Sequence, residues 1–492
     1  MLPFKTHDED DAASRVVAQS VVASLTEVLT RAGQQVVSPA KGEKYRGADR
    51  SRITAETGSR FIVDGEVHHD GRSMSVALRI EDGRTGRLVM SNVFERPATA
   101  DVAGFADLVA GYVGVRSWSY TPSAVPSSHP EVEAAGYRIA ELLAHRETRA
   151  AYDLGAAMAR KYPDDPLALM QLVANSTFNY WSFQQDEVES RMRAARATEQ
   201  RVSKLLPRYG DLSVARSLFV PPQWWTEREA LLRMGLALDP DTRLSGHAPA
   251  GLLGEVGRLR DAEQLEGGEL GRDAFNLEKI LRQYTLLRTL GDRAQSDALG
   301  ALVARFVPGN AEFALRQFMA SDFRGQAAEP ARLMADPTLA SLIEPPERPP
   351  RIRQMLAALQ SRRPRDIDIA VPGCTPAWVS MQTTVVCLVG LSELGRLDDA
   401  FAFALAIYPD LRAATREAED QHWLRRDRTL FDTTVLYRPE LAPMRADARF
   451  AALAERIRLL DYWRAGHPPD FCGAEAETAA KPLPICAAIG NP

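Results

Sequence analysis

In the first 116 residues the hydrophobic pattern switches between two periods. Val16, Val17, Val21, Val22, Leu25, Val28 and Leu29 return at three- and four-residue steps, which places them on one face of a helix. Gly33 follows as a left-handed cap. Met74, Val76, Leu78 and Ile80 alternate instead with mostly polar neighbours, the two-residue period of a strand with one buried face. An apolar run at 61–67 reaches that strand through His69-Asp70-Gly71, a tight-turn sequence. Asp82-Gly83-Arg84-Thr85-Gly86 turns the chain into a third run at 88–94. Residues 2–4 read as a strand remnant, 35–38 as a further strand, 53–57 as a short helix stopped by Gly58, and 102–115 as a closing helix. Together these elements predict a small α/β domain over residues 1–116.

Residues 117–130 hold three prolines and several serines and read as a linker. From 131 to 465 the helical period takes over, and one phrase recurs: a stretch of small residues closed by proline. It runs from Leu154 to Pro163, from Met234 to Pro240, from Leu299 to Pro308 and from Ala402 to Pro409. Successive intervals along Pro207, Pro240, Pro308 and Pro409 are 33, 68 and 101 residues. These lie close to one, two and three times the roughly 34-residue period of a helix-turn-helix repeat. A proline- and arginine-rich stretch at 342–364 marks an irregular repeat or a join, and residues 466–492 read as an irregular tail.

The N-terminal order of strand, long helix, strand, short helix and three-strand meander resembles the TolB-like N-terminal domain. The residues that carry it are Leu2-Pro3-Phe4, Leu25-Thr26-Glu27-Val28-Leu29, the stretch from Thr57 to Val67, and the Asp82–Gly86 turn. The helical remainder is similar to a tetratricopeptide array. Its closing phrases are Arg438-Pro439-Glu440-Leu441, Leu460-Asp461-Tyr462-Trp463-Arg464 and Pro469-Asp470-Phe471-Cys472. They are similar to the ends of bacterial signalling proteins in which this pair of domains follows a winged-helix DNA-binding domain or a class III adenylyl cyclase domain. The resemblance implies a small α/β domain plus an all-α, tetratricopeptide-like superhelix, predominantly α overall. It also implies a role in signal transduction or transcription regulation. Neither output domain is present here, so their activities are not expected of this chain.

Composition narrows the function classes. A length of 492 residues exceeds one core. Net charge is −5, from 60 basic and 65 acidic residues, a balance that argues against direct nucleic-acid binding. No apolar run approaches the roughly 18 residues of a membrane span, and no basic-then-apolar leader opens the chain. A cytoplasmic protein is expected of the chain as written, or a periplasmic one if a membrane segment lies upstream. The opening Met1-Leu2-Pro3-Phe4 reads like a strand lacking its first half, as in the C-terminal part of a longer protein.

Candidate chemistry is sparse. His68, His69 and Asp70 are the densest metal-type cluster, but neighbours on a strand point to opposite faces, and solvated turn residues are the plainer reading. Asp8 to Asp11 precede a helix, where acidic groups favour the positive end of its dipole. Gly251, Gly254 and Gly257 lack the lysine and hydroxyl pair of a phosphate loop and suit close helix packing. Cys374 and Cys387 read as buried small residues. Cys472 and Cys486 flank a proline-rich segment and can close a loop in an oxidising compartment. Two aromatic pairs, Tyr180-Trp181 and Trp224-Trp225, either line a peptide groove or fill gaps where helices cross. His422, Trp423, Arg425 and Arg426 read as a solvated basic face. No catalytic, cofactor or metal residues are expected. The expectation is a non-enzymatic interaction and sensory or scaffolding module with a protein or peptide partner. The alternative is the regulatory portion of a cyclase or winged-helix factor.

Overall fold

The alternating run around Val76 becomes β3 (Ser73–Asp82), a central strand of a four-stranded sheet ordered β1 (Lys5–Thr6), β2 (Phe61–His69), β3 and β4 (Arg87–Pro97). The computed structural model describes the chain except for residues 7–10, 33, 46, 84–85, 115–124, 126, 145–146, 178–184, 239–246, 273–275, 326, 347, 377–379, 416–431, 474–482 and 491–492. Two units emerge. The first comprises Met1–Leu154, Gly268–Ile280 and Asp297–Asn310, and the second Gly155–Gly267, Leu281–Ser296 and Ala311–Pro492. The architecture is a small α/β part and an all-α part.

In the first unit β1 runs parallel to β2, with Lys5 opposite Glu66. β2 and β3 are antiparallel, with Val67 opposite Val76. β3 meets β4 with Ile80 opposite Met90 and Glu81 opposite Leu88. Val89 is therefore a bulge residue on β4. The even-numbered residues Met74, Val76, Leu78 and Ile80 face one way and are buried with Val17, Val21, Leu25 and Val28 of α1 (Ala12–Arg31). Asp11 starts α1 by accepting from the backbone N–H of Ala13 at 2.9 Å and Ser14 at 3.0 Å. α2 (Arg50–Thr57) ends at Gly58 with φ +67°, a conformation glycine adopts without steric cost. Gly33, expected to cap α1, lies outside the described residues.

α3 (Val102–Gly114) packs beside α1 through Phe105, Ala106, Val109 and Ala110. Its Gly111 meets the Phe306 carbonyl so closely that a Cβ there would sit 1.9 Å from the oxygen. Asp107 of α3 accepts from Ser24 Oγ at 2.9 Å and from Arg305 at 2.7 and 3.1 Å. α4 (Pro130–Ala144) brings Tyr137 to the sheet, where its hydroxyl accepts from Arg60 at 2.6 Å. The strand expected at 35–38 does not form. Ser38 instead accepts from the Lys41 N–H and begins a single turn, Pro39–Gly42, a local bond that competes with strand pairing.

From residue 148 the described elements are helices. In order come α5 (Thr148–Lys161), α6 (Pro166–Thr177), α7 (Gln185–Leu205), α8 (Gly210–Phe219), α9 (Trp225–Leu238), α10 (His247–Glu255), α11 (Leu259–Arg272) and α12 (Leu277–Leu290). There follow α13 (Arg293–Phe306), α14 (Ala311–Met319), α15 (Ala328–Leu333), α16 (Pro337–Ile343), α17 (Arg351–Ser361) and α18 (Pro364–Ala370). Last are α19 (Met381–Glu393), α20 (Leu397–Ile407), α21 (Ala442–Ala446), α22 (Arg449–Arg456), α23 (Leu459–Arg464) and α24 (Pro484–Ile489). The recurrent prolines act as stops: α5, α7, α13 and α20 end two residues ahead of Pro163, Pro207, Pro308 and Pro409. That spacing fits the steric exclusion of the residue before proline from helical geometry. Pro240 lies outside the described residues.

The core of the second unit joins Trp225, Phe318, Phe323, Tyr408, Phe450 and Trp463. Its C-terminal end is held by polar side chains that reach backbone groups outside their own helices. Arg445 is fully buried and donates to the Leu436 and Arg438 carbonyls, both at 2.8 Å. The Trp463 indole donates to Val256 O at 2.8 Å. Asp470 accepts from the Arg260 N–H at 2.7 Å and so caps the start of α11. Phe471, Leu483 and Ile485 of the tail are buried in this core.

All four cysteines are bonded, Cys374 to Cys387 and Cys472 to Cys486. The first pair corrects the reading of two separate buried residues. A 3-10 turn at Val371–Gly373 delivers Cys374 to within 5.6 Å, Cα to Cα, of Cys387 on α19, inside disulfide range.

Candidate functional site

Within the second unit a cleft of about 80 Å³ is lined by Arg288, Arg293, Arg324, Arg438, Asp322 and Glu440, with backbone and small residues between them. Three separate stretches build it. α12 ends at Gly291, whose φ of +86° turns the chain sharply, and Asp292 then caps α13 by accepting from the Gln295 N–H at 3.0 Å. This turn sets Arg288 and Arg293 on one wall. The segment after α14 supplies Ser321, Asp322 and Arg324. The 3-10 turn Pro439–Leu441 supplies Glu440, with Arg438 immediately before it.

The inner wall is saturated. Arg438 donates to both Glu440 oxygens, at 2.8 and 3.2 Å, and to the Ser321 carbonyl at 2.5 Å. It also donates to the Met319 carbonyl. Glu440 Oε1 additionally accepts from the Phe323 N–H at 3.1 Å. Arg288 is paired with Glu329. Burial works to raise the Glu440 carboxyl, but the adjacent Arg438 outweighs it and holds Glu440 below the usual carboxylate range.

The outer wall is arranged differently. Asp322 accepts from Arg293 Nη2 at 2.6 Å and from the backbone N–H, Nε and Nη2 of Arg324 at 2.9, 3.0 and 2.9 Å. Both arginine side chains stay half exposed, 51% for Arg293 and 54% for Arg324. Burial again pushes the Asp322 carboxyl up, and the bonds from Arg324 and the charge of Arg293 overcome it, leaving it lowered. The two hydroxyls on the cleft are committed to helix carbonyls: Thr289 Oγ1 donates to Thr285 O at 2.9 Å and Ser321 Oγ to Gln317 O at 2.8 Å. The described lining thus offers guanidinium donors and fixed charge. It does not pair a nucleophile with a base.

The residues singled out by the sequence fall elsewhere. Trp225 is buried, and its indole donates to Ile457 O at 3.1 Å. Trp224 is half-buried, with the Arg458 guanidinium 4.5 Å from its ring centroid. The pair therefore holds the turn at Ile457–Arg458, where Arg458 adopts φ +62°. Tyr180 and Trp181 lie outside the described residues, as do Asp8, Glu9, Asp10, His422, Trp423, Arg425 and Arg426. His68 Nε2 stands 4.0 Å from Asp70 Oδ2, while Asp70 Oδ1 accepts from the Arg72 and Ser73 N–H groups at 2.9 and 2.7 Å. That is turn chemistry. Gly251 and Gly254 sit on α10, where a Cβ on Gly254 would lie 3.5 Å from Thr434. Among the described residues no three of His, Cys, Asp and Glu come together as a metal site. No described helix is long and apolar enough to cross a membrane.

Sequence reasoning missed Arg293, Arg324 and Asp322 altogether. The one available signal was Arg438-Pro439-Glu440, two opposite charges around a proline in an otherwise apolar stretch. No family model, curated protein or solved structure matches the chain.

Proposed function

We propose that this chain is a non-enzymatic protein-interaction module, a sensory or scaffolding element of a bacterial signalling or transcription-regulatory protein. The observation that carries the reading is the cleft: a small, charged recess whose hydroxyls are spent on helix carbonyls. A volume of about 80 Å³ is far below the roughly 300–1,000 Å³ typical of small-molecule sites. It suits one side-chain group of a larger partner. Serial helix pairs also leave extended surface for such a partner.

The module works in an oxidising compartment on this reading. All four cysteines are paired, and paired structural cysteines persist where thiols are not kept reduced. The test is affinity capture from a non-reducing bacterial envelope extract, with an unrelated protein of equal charge on a matched column. A partner retained reproducibly by this chain alone supports the module. Extracts that yield none, alongside turnover of any metabolite by the chain, would replace it with an enzyme. Maleimide labelling of the chain in freshly lysed cells tests the compartment, and reaction without prior reduction counts against it.

A further inference from the structure

The cleft holds more cation than its carboxylates neutralise, and the surplus is concentrated at its mouth. Arg438 is consumed by Glu440 and two backbone carbonyls, and Arg288 is engaged with Glu329. Arg293 and Arg324, by contrast, share Asp322 as their hydrogen-bonded carboxylate. Arg324 commits its backbone N–H, Nε and Nη2 there, which leaves the Nη1 donors over. Arg293 commits Nη2, and its Nη1 is 4.0 Å from the nearest further carboxylate oxygen, on Glu329. Two half-exposed guanidiniums thus present unspent, planar donors at one mouth, held in place by a common anchor. Such donors suit a carboxylate, which accepts from both at once.

We propose that this mouth binds one acidic side chain, aspartate or glutamate, of a protein partner, with Arg293 and Arg324 as its ligands. The inference rests on the interaction-module reading and narrows it. Charge decides between candidate anions. Arg288, Arg293, Arg324 and Arg438 face Asp322, Glu329 and Glu440, a local surplus of one positive charge, which a carboxylate cancels and a doubly charged phosphate overshoots. The chain as a whole is net negative, at −5, so overall charge does not draw in an acidic peptide, and the mouth acts over a screening length of about 10 Å at ordinary salt. The anchors are set before the ligand arrives, which lowers the ordering cost of binding.

The experiment uses the full chain and two fluorescein-labelled Gly/Ser peptides, one carrying five glutamates and the other five glutamines, read by anisotropy at low ionic strength. The expected result is binding of the glutamate peptide at least about tenfold tighter than its neutral twin. Arg293→Ala and Arg324→Ala should each weaken it about tenfold. Arg412→Ala and Arg449→Ala remove the same formal charge from exposed pairs with Asp410 and Asp447 and should leave binding unchanged. Circular dichroism melting confirms that each variant is folded.

Equal binding of the two peptides, or no binding, overturns the proposal. So does an equal loss in the Arg412 control, which would show attraction to overall charge only. Displacement of the peptide by inorganic phosphate at concentrations where acetate has no effect overturns the carboxylate assignment. If the peptides fail while a partner is still captured from extracts, this inference falls and the module reading stands.

Discussion

In the first unit β2 and β3 pair along nine residues, so nearly every backbone group in the sheet interior is satisfied by the strand beside it. In the second unit the Leu436 and Arg438 carbonyls are met by one buried arginine, Arg445. The Val256 and Ile457 carbonyls are met by Trp463 and Trp225, and the Met319 and Ser321 carbonyls by Arg438. A paired strand leaves few orphan groups, whereas each helix leaves up to four carbonyls unpaired at its C-terminal end. A unit assembled from many short helices therefore multiplies orphan carbonyls, and here long polar side chains from other segments claim them. The second unit thus depends on a few large residues, while the first distributes its cohesion along strands and periodic faces.

The largest test is Trp463→Ala. It removes a fully buried indole and leaves Val256 O without that donor, for an expected loss of about 4 kcal/mol. Urea unfolding with peptide-resolved hydrogen exchange reads it. Protection should fall across α10 and α21–α23 and hold in β2–β4, and an equal fall in the sheet would break the comparison. Cys472→Ser with Cys486→Ser follows. The bridge spans 14 residues, and opening a loop of that size costs about 3 kcal/mol. Adding dithiothreitol to the native chain should weaken α24 in the same way, and a native chain indifferent to reductant would show the tail is held by packing alone.

How much of this was legible in the sequence follows the same division. The alternation of Met74, Val76, Leu78 and Ile80 and the stop at Gly58 are local signals, and they specify the sheet and α2 because strand and helix periods act over a few residues. The prolines that end α5, α7, α13 and α20 are equally local. The strand expected at 35–38 failed because Ser38-Pro39 offers cap chemistry that a hydrophobicity pattern does not register. The Cys374–Cys387 bond was invisible because it depends on a 3-10 turn. The cleft was invisible because Arg293, Asp322, Arg324 and Glu440 meet only after α12, α14 and the 439–441 turn have been placed. Trp224 and Trp225 were conspicuous by composition, and the contacts they make fasten the 457–458 turn.

A smaller effect is expected from Gly111→Ala in the first unit. The added methyl would collide with the Phe306 carbonyl, and overpacking of this kind costs about 2 kcal/mol. Loss of protection in α3 and α1, with α21–α23 unchanged, would sharpen the comparison from the other side.

The smallest is a pH effect at Glu440. Its folded carboxyl is held below the ordinary 4.5 by Arg438 despite burial, so its contribution is present above that value and is lost as pH falls through the lower folded one. The stability gap between the native chain and Glu440→Gln should therefore shrink on acidification below about pH 4.5. A gap that stays constant would mean the ion pair adds nothing beyond the hydrogen bonds.

The bond between Trp463 and Val256 spans 207 residues and that between Trp225 and Ile457 spans 232. Asp470 likewise caps α11 by a bond to Arg260, 210 residues earlier. During synthesis, then, α9 to α11 emerge from the ribosome long before the residues that complete them exist. Their apolar faces must wait, exposed to chaperones and proteases. A message cut short before residue 463 yields a chain whose middle, and not merely its end, is left unfinished.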